Sequence, residues 1–181
     1  MSEKAFSLGI LVGRFQTIHS GHEYMINKAV SVCDEVGIFI GSAQESGTCK
    51  NPFSFEKRKE LIEAIYGNSV KVFPLPDIGV GNNSKWGDYV LENVLERFGR
   101  YPDLLVSGSE ERRQSWFDNF DISELCIAKT IDISASKMRK FIIDNDFEAW
   151  KKYSNPLIWD KYNEMREIII NSKDNLNSDS I

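Results

Sequence analysis

A chain of 181 residues with 41% hydrophobic content can bury one sizeable core but is short for two independent catalytic domains. Its 22 Lys and Arg stand against 27 Asp and Glu, a formal charge of −5, which excludes the broad basic footprint of a duplex nucleic-acid binder or of a protein drawn to anionic membranes. Any anionic ligand has to be held locally. Met1 to Ser7 is polar and mixed in charge, and no stretch approaches the roughly 20 apolar residues of a membrane span, so a soluble cytoplasmic protein is expected. Cys33, Cys49 and Cys126 are odd in number and widely spaced, which predicts reduced thiols, with Cys33 and Cys126 as small core residues.

Leu8 to Val12 is a short apolar run that stops at Gly13, as a strand buried on both faces does. From Gly21 to Cys33 the residues Tyr24, Met25, Ala29, Val30 and Val32 recur at helical spacing, and Val36 to Ile40 then predicts a second strand, completing a βαβ unit. A helix over Phe55 to Tyr66 carries Leu61, Ile62 and Ile65 on one face. It precedes a strand over Val70 to Phe73 that Pro74 and Pro76 stop. The alternation continues with a helix from Lys85 to Phe98 and strands at Leu104 to Ser107 and Leu125 to Ala128. Such a pattern predicts an α/β fold, a Rossmann-like parallel sheet flanked by helices with ligands beyond the carboxyl ends of its strands. A C-terminal helical segment follows: Ser134 to Asp144, a stretch with Phe147, Trp150 and Tyr153, and Pro156 to Ile170, with Pro156 suited to a first turn. Residues 1–170 read as a single domain and 171–181 as a polar, disordered tail.

Both histidines of the chain lie in Gly13-Arg14-Phe15-Gln16-Thr17-Ile18-His19-Ser20-Gly21-His22, between the first strand and the first helix. Gly13 permits a tight turn and close backbone approach to a ligand, and the free N–H groups opening the helix favour a phosphate. His19 and His22 are three apart, so on a helical first turn they share a side. Two imidazoles beside a phosphate donate hydrogen bonds that strengthen as negative charge builds in a transition state. Ordinary loop polarity is the bland alternative and a metal pair another, but the familiar HExxH spacing is four and no further His or Cys cluster completes a zinc site. Magnesium held through phosphate oxygens remains open.

Ile133-Ser134-Ala135-Ser136-Lys137-Met138-Arg139 opens a helix with hydroxyls followed by two cations. Capping by Ser134 or Ser136 with Lys137 and Arg139 in solvent accounts for part of this. Hydroxyls, helix N–H groups and an arginine within one turn also make a polyphosphate clamp.

GRFQTIHSGH resembles the GRFxPxHxGH signature of the nucleotidyltransferases that include the nicotinamide mononucleotide adenylyltransferases, and ISASKMR resembles their ISxTxxR signature. Between them, Ser42 to Thr48 (SAQESGT) and Asn51-Pro52-Phe53-Ser54, followed by Glu56 and Arg58, are similar to the SAQxSxT and NPFT segments of the archaeal and bacterial nicotinamide-mononucleotide branch. So are Pro74-Leu75-Pro76-Asp77-Ile78 and Asn83-Ser84-Lys85-Trp86 to its PxxDI and NxxW stretches. The likeness covers about residues 7 to 160 in four ordered blocks. It implies transfer of the adenylyl group of ATP to nicotinamide mononucleotide, giving NAD and pyrophosphate, with Mg2+ held through the ATP phosphates. Carried over by position, His19, His22 and Arg139 are the catalytic residues, and Gly13, Arg14, Phe15, Gln16, Gly21, Ser134 and Ser136 hold ATP. Gly108 lines the adenosine, and Asp77, Asn83 and Trp86 form the acceptor site, Trp86 stacking on the cationic nicotinamide ring unless it is a core aromatic at a helix start.

Thr17 replaces the usual proline of the first signature and Ser136 the usual threonine of the second. Gly47 stands where the branch often has histidine, and Ser107 to Arg113 departs from an SGNP-like segment. These departures touch acceptor and adenosine contacts. They leave two rivals: a sister adenylyl- or cytidylyltransferase acting on pantetheine phosphate or glycerol phosphate, and a nucleotide sensor without turnover. Nucleic acid is not an expected partner, and a homo-oligomer stays open because members of the family often form rings.

Overall fold

In the structure, a computed structural model that describes residues 4–79, 85–108 and 117–172, the apolar runs pair into one sheet. Its strands are β1 (Phe6–Gly13), β2 (Cys33–Gly41), β3 (Lys71–Leu75), β4 (Leu104–Ser107) and β5 (Ser123–Cys126), all parallel and ordered β3-β2-β1-β4-β5. The helices are α1 (Ser20–Val32), α2 (Phe55–Tyr66), α3 (Trp86–Phe98), α4 (Ala135–Ile143), α5 (Phe147–Lys151) and α6 (Tyr162–Ile170), with a 3-10 stretch over Pro156–Lys161. Among the described residues no helix is long and apolar enough to cross a membrane.

Both faces of the sheet are covered, and the period of two along the strands shows it. Leu8, Ile10, Phe39 and Leu75 point to a core completed by Val90, Leu91 and Val94 of α3. Leu11, Ile38 and Ile40 point the other way, into a larger core shared with α1, α2 and the C-terminal helices. Chain order explains the division. The sheet grows outward from β1 to β2 and β3, then returns past β1 to add β4, and right-handed crossovers in opposite directions place their helices on opposite faces. The reversal leaves a crevice at the carboxyl ends of β1 and β4, where doubly wound sheets bind ligands.

The C-terminal segment is part of the larger core: Trp150 has no exposed surface, and Met138, Ile142, Met165 and Ile169 are buried beside it. Lys57 of α2 joins Glu60 and Glu164, each at 2.6 Å, and Lys161 reaches Glu60 at 3.2 Å. The carboxylates of these pairs are partly exposed and such pairs contribute little, so apolar burial is what docks the C-terminal helices.

Several boundaries differ from the sequence reading. The fifth strand is two residues earlier than Leu125 to Ala128, because pairing of Leu104 with Ser123 and Ser107 with Cys126 sets its register, and an edge strand can begin on polar residues. Cys33 starts β2 rather than ending α1, although its N–H still donates to Ala29. Its side chain is buried, and burial pushes the thiol up to about 11, which makes it a structural cysteine. Pro156 to Ile170 is not one helix but a 3-10 stretch followed by α6. Residues 173–181, most of the expected tail, lie outside the described residues.

Candidate active site

Four segments converge beyond the carboxyl ends of the central strands. The first is the turn from β1 into α1. His19 is not on the first turn of α1, as the spacing predicts, but is its extended N-cap (φ −151, ψ 171), and its Nδ1 accepts from the Gly21 N–H at 3.1 Å. An acceptor at Nδ1 leaves the proton of the neutral ring on Nε2, a donor. The His19 ring folds over the helix start and stacks on His22, with centroids 3.9 Å apart and planes at 23°. Phe15 closes the other side of His22 at 4.7 Å. Gly21 permits this stack: a Cβ there would lie 3.1 Å from two atoms of the His19 ring. His22 is half-buried, and its Nδ1 is covered with no hydrogen-bond partner among the described residues.

Burial keeps both imidazoles neutral. It pushes His19 down to about 4, with Lys129 adding to the shift, and holds His22 well below the usual range, with His19 adding to that. A histidine with a depressed folded pKa takes its proton in the unfolded chain first, so its contribution to stability falls as pH drops from about 6.5 towards 4. Between pH 7.5 and 5, His19 alone should lower the unfolding free energy by about 2 kcal/mol. Urea unfolding of wild type and His19→Asn at the two pH values checks this, and an equal drop in both proteins would place the titration elsewhere.

Arg14 is exposed, whereas Phe15 and Gln16 are buried, so only their backbone is available to a ligand. The Gln16 amide is committed to Phe53: its Oε1 accepts from the Phe53 N–H at 3.0 Å and its Nε2 donates to the Phe53 carbonyl at 2.9 Å. Thr17, where the resemblance leads one to expect proline, is fully buried and donates to the Ile18 carbonyl, so the loop is packed at this position.

The second segment is the start of α4. Ser134 is its N-cap and accepts from the Lys137 N–H at 3.2 Å, which is the capping role. Lys137 turns back to Asp132 at 2.6 Å. Ser136 is exposed, and Arg139 Nη2 donates to its hydroxyl at 3.2 Å. Arg139 Nη1 donates to the Gln16 carbonyl, joining the two signature segments across the site.

The third segment follows β2 and β3. Asp77 accepts from Ser42 Oγ at 3.2 Å and from Gln44 Nε2 at 3.1 Å, while its N–H donates to Gln44 Oε1 at 3.0 Å. Tyr89 donates to the Pro76 carbonyl at 2.8 Å, which brings the first turn of α3 to the same loop. Trp86 opens that turn, half-buried, with its ring edge-on to Phe117 at 6.5 Å. Gly47 has φ +70 and open space where a Cβ would be, a backbone conformation that suits glycine. Asn83 lies outside the described residues. The fourth segment is Gly108, exposed at the end of β4, where a Cβ would meet Met25 Sδ at 3.1 Å. Its neighbours 109–113 lie outside the described residues.

The sequence motifs point to no role for Arg58, which is fully buried and bonded to three carbonyls in two of these turns, those after β1 and β2. Its only advance signal is its place after the NPFS segment. The arrangement can bind a polyanion: neutral ring donors, helix N–H groups and the cations Arg14 and Arg139, with Lys137 paired to Asp132 and Asp77 set apart from them in the β2/β3 loops.

A family model described as cytidylyltransferase-like matches residues 10–141. The nicotinamide-nucleotide adenylyltransferase of Thermococcus onnurineus is 33% identical over 150 residues, 80% of this chain and 75% of that protein. The enzyme of that name from Methanococcus aeolicus is 30% identical over 146 residues, covering 78% of this chain and 80% of its own length. Among solved structures, a bifunctional NMN adenylyltransferase/ADP ribose pyrophosphatase from Francisella tularensis, complexed with AMP and a manganese ion, superposes with a TM-score of 0.75 over 96% of this chain at 23% identity. This chain spans about half of that one, 54%, so that likeness shows the fold.

Proposed function

The chain belongs to the cytidylyltransferase-like family and, within it, to the nicotinamide-nucleotide adenylyltransferases, and from that premise we propose that it transfers the adenylyl group of ATP to nicotinamide mononucleotide, giving NAD and pyrophosphate. What carries the reading at the site is the stacked, neutral His19 and His22 pair at the opening of α1, with Arg139 of α4 bonded to the Gln16 carbonyl of the same loop.

An oxygen of the acceptor's 5′-phosphate forms a bond to the α-phosphorus of ATP as the bond from that phosphorus to the bridging oxygen breaks. The bonding pair leaves with pyrophosphate. The attacking phosphate is already ionised, so no general base is needed, and the protein contributes position and charge. His19 and His22 are proposed to donate ring N–H bonds to phosphate oxygens, gaining strength as charge moves onto the leaving group. Arg14, Ser136 and Arg139 are proposed to hold the β and γ end, with the backbone of Gly13, Phe15 and Gln16 and the N–H groups of the α4 start completing the cradle, while the Gly21 N–H is used in orienting the His19 ring. Ser134 supports it as the cap, and Gly108 lines the adenosine. Asp77, Asn83 and Trp86 form the acceptor end. The bonds Asp77 makes to Ser42 and Gln44 are what shape that wall.

Among the described residues no group of three or more His, Cys, Asp or Glu is placed to hold an ion, and the cradle is built of donors and cations, which fits a divalent cation held by the nucleotide's own oxygens. Magnesium is the one we propose, and when bound it neutralises polyphosphate charge. The test is pyrophosphate release with ATP and magnesium in separate reactions with nicotinamide mononucleotide, nicotinic acid mononucleotide, pantetheine phosphate and glycerol phosphate, repeated with CTP. Release is expected with ATP and nicotinamide mononucleotide. Release only with another acceptor would move the assignment to a sister transferase, and ATP binding without release would make the protein a sensor.

A further inference from the structure

Arg58 of α2 has no exposed surface and, among the described residues, no carboxylate partner in a salt bridge. Its guanidinium spends its donors on carbonyls instead. Nη1 donates to Arg14 at 3.0 Å and to Gly41 at 2.9 Å, Nη2 to Ser42 at 3.1 Å, and Nε to Ser54 at 3.1 Å. Burial pushes it down only to about 10, so it stays charged at neutral pH. A charge placed so deep is costly unless every donor is used.

Ser54 is the N-cap of Arg58's own helix, and the other three carbonyls belong to the two turns that leave the central strands β1 and β2. Phe15, just after Arg14, has φ 49, and Ser42 has φ 48. Non-glycine residues rarely hold this left-handed backbone unless their surroundings impose it. One turn carries the candidate phosphate loop; the other opens the segment that shapes the acceptor wall through Ser42, Gln44 and Asp77. A planar fork with fixed donor directions can bridge both turns, and a lysine ammonium on a flexible stem cannot.

We propose that Arg58 is a positioning residue for adenylyl transfer: by donating to the Arg14, Gly41 and Ser42 carbonyls it holds the ATP loop after β1 and the acceptor segment after β2 in one register. The inference rests on the reading of those two loops given above. It makes the in-line approach of the acceptor phosphate depend on a side chain that touches neither substrate.

Arg58→Lys should remain folded at 25 °C by circular dichroism, bind ATP about 10-fold more weakly in calorimetry without acceptor, and lose about 100-fold in kcat, the scale expected when reacting groups are misplaced by about 1 Å. The kcat loss should exceed the change in KM for either substrate. Leu61→Val, a core change on the same helix, should leave both quantities within about twofold. Wild-type kcat in Arg58→Lys, or an equal loss in Leu61→Val, would overturn the proposal. Should Arg58→Lys not fold, hydrogen exchange on wild type decides: ATP alone should protect segment 42–54 together with loop 13–17, and protection confined to 13–17 overturns it. These ATP arms do not depend on the acceptor, so a wild type inactive with nicotinamide mononucleotide would count against the proposed reaction and not against Arg58.

Discussion

His22→Ala should lower kcat by about 100- to 1000-fold, about 2.7 to 4 kcal/mol of transition-state stabilisation, the range seen when one preorganised donor to a developing oxyanion is removed. The ring is preorganised by stacking on His19 at 3.9 Å and by the tilted Phe15 ring on its other side at 4.7 Å, so no reorientation is needed as charge develops. Burial keeps it neutral, which makes it a hydrogen-bond donor whose worth lies in direction, not in net charge. The KM for ATP should therefore change far less than kcat. Steady-state kinetics at pH 7.5, with urea unfolding to confirm that the variant is native, checks this. Turnover within threefold of wild type would remove His22 from the reaction.

Arg139→Ala should reduce kcat/KM for ATP by about 100-fold, about 2.7 kcal/mol, the scale of a lost charge-assisted bond to phosphate. Two effects combine in this variant. A cation is removed from the proposed phosphate site, and the Gln16 carbonyl loses the donor that ties α4 to the first loop. Arg139→Lys separates them, because lysine restores the charge but not the fork. We expect it to recover the affinity for ATP more than kcat. Equal, full recovery of both would show that charge alone is what Arg139 supplies. A loss in Arg139→Ala that salt does not alter would argue against phosphate contact, since exposed charge interactions are screened.

Much of the site was legible because its parts are local in sequence. A loop leaving a strand and opening a helix places His19, Gly21 and His22 within four positions of one another, and the Ser134 cap is defined by its own next turn. The cap role of His19 was not legible, since a spacing of three fits both a first turn and a cap folded over it. Gln16 and Arg58 were hidden more deeply. Polar residues read as solvated or ligand-facing from composition alone, yet both are buried and bonded to backbone 16 to 44 residues away. Trp86 also changed character: the structure gives it an aromatic neighbour in Phe117 at its edge, while the first turn it opens adjoins the loop of Asp77.

By itself the sequence determined the alternation of strands and helices, the parallel sheet with both faces covered, the two phosphate-type segments and the reaction class that they resemble. Its periods of 2 and 3.6 are local, and so are helix caps and turn chemistry. Tertiary structure alone decided the register of β5, the burial that keeps both histidines neutral, and the meeting of Arg139 with Gln16, 123 residues apart in the chain. It also decided that Arg58 faces carbonyls rather than water. These features follow from which surfaces lose their water when the sheet closes against its helices. Desolvation, unlike periodicity, is set by neighbours in space.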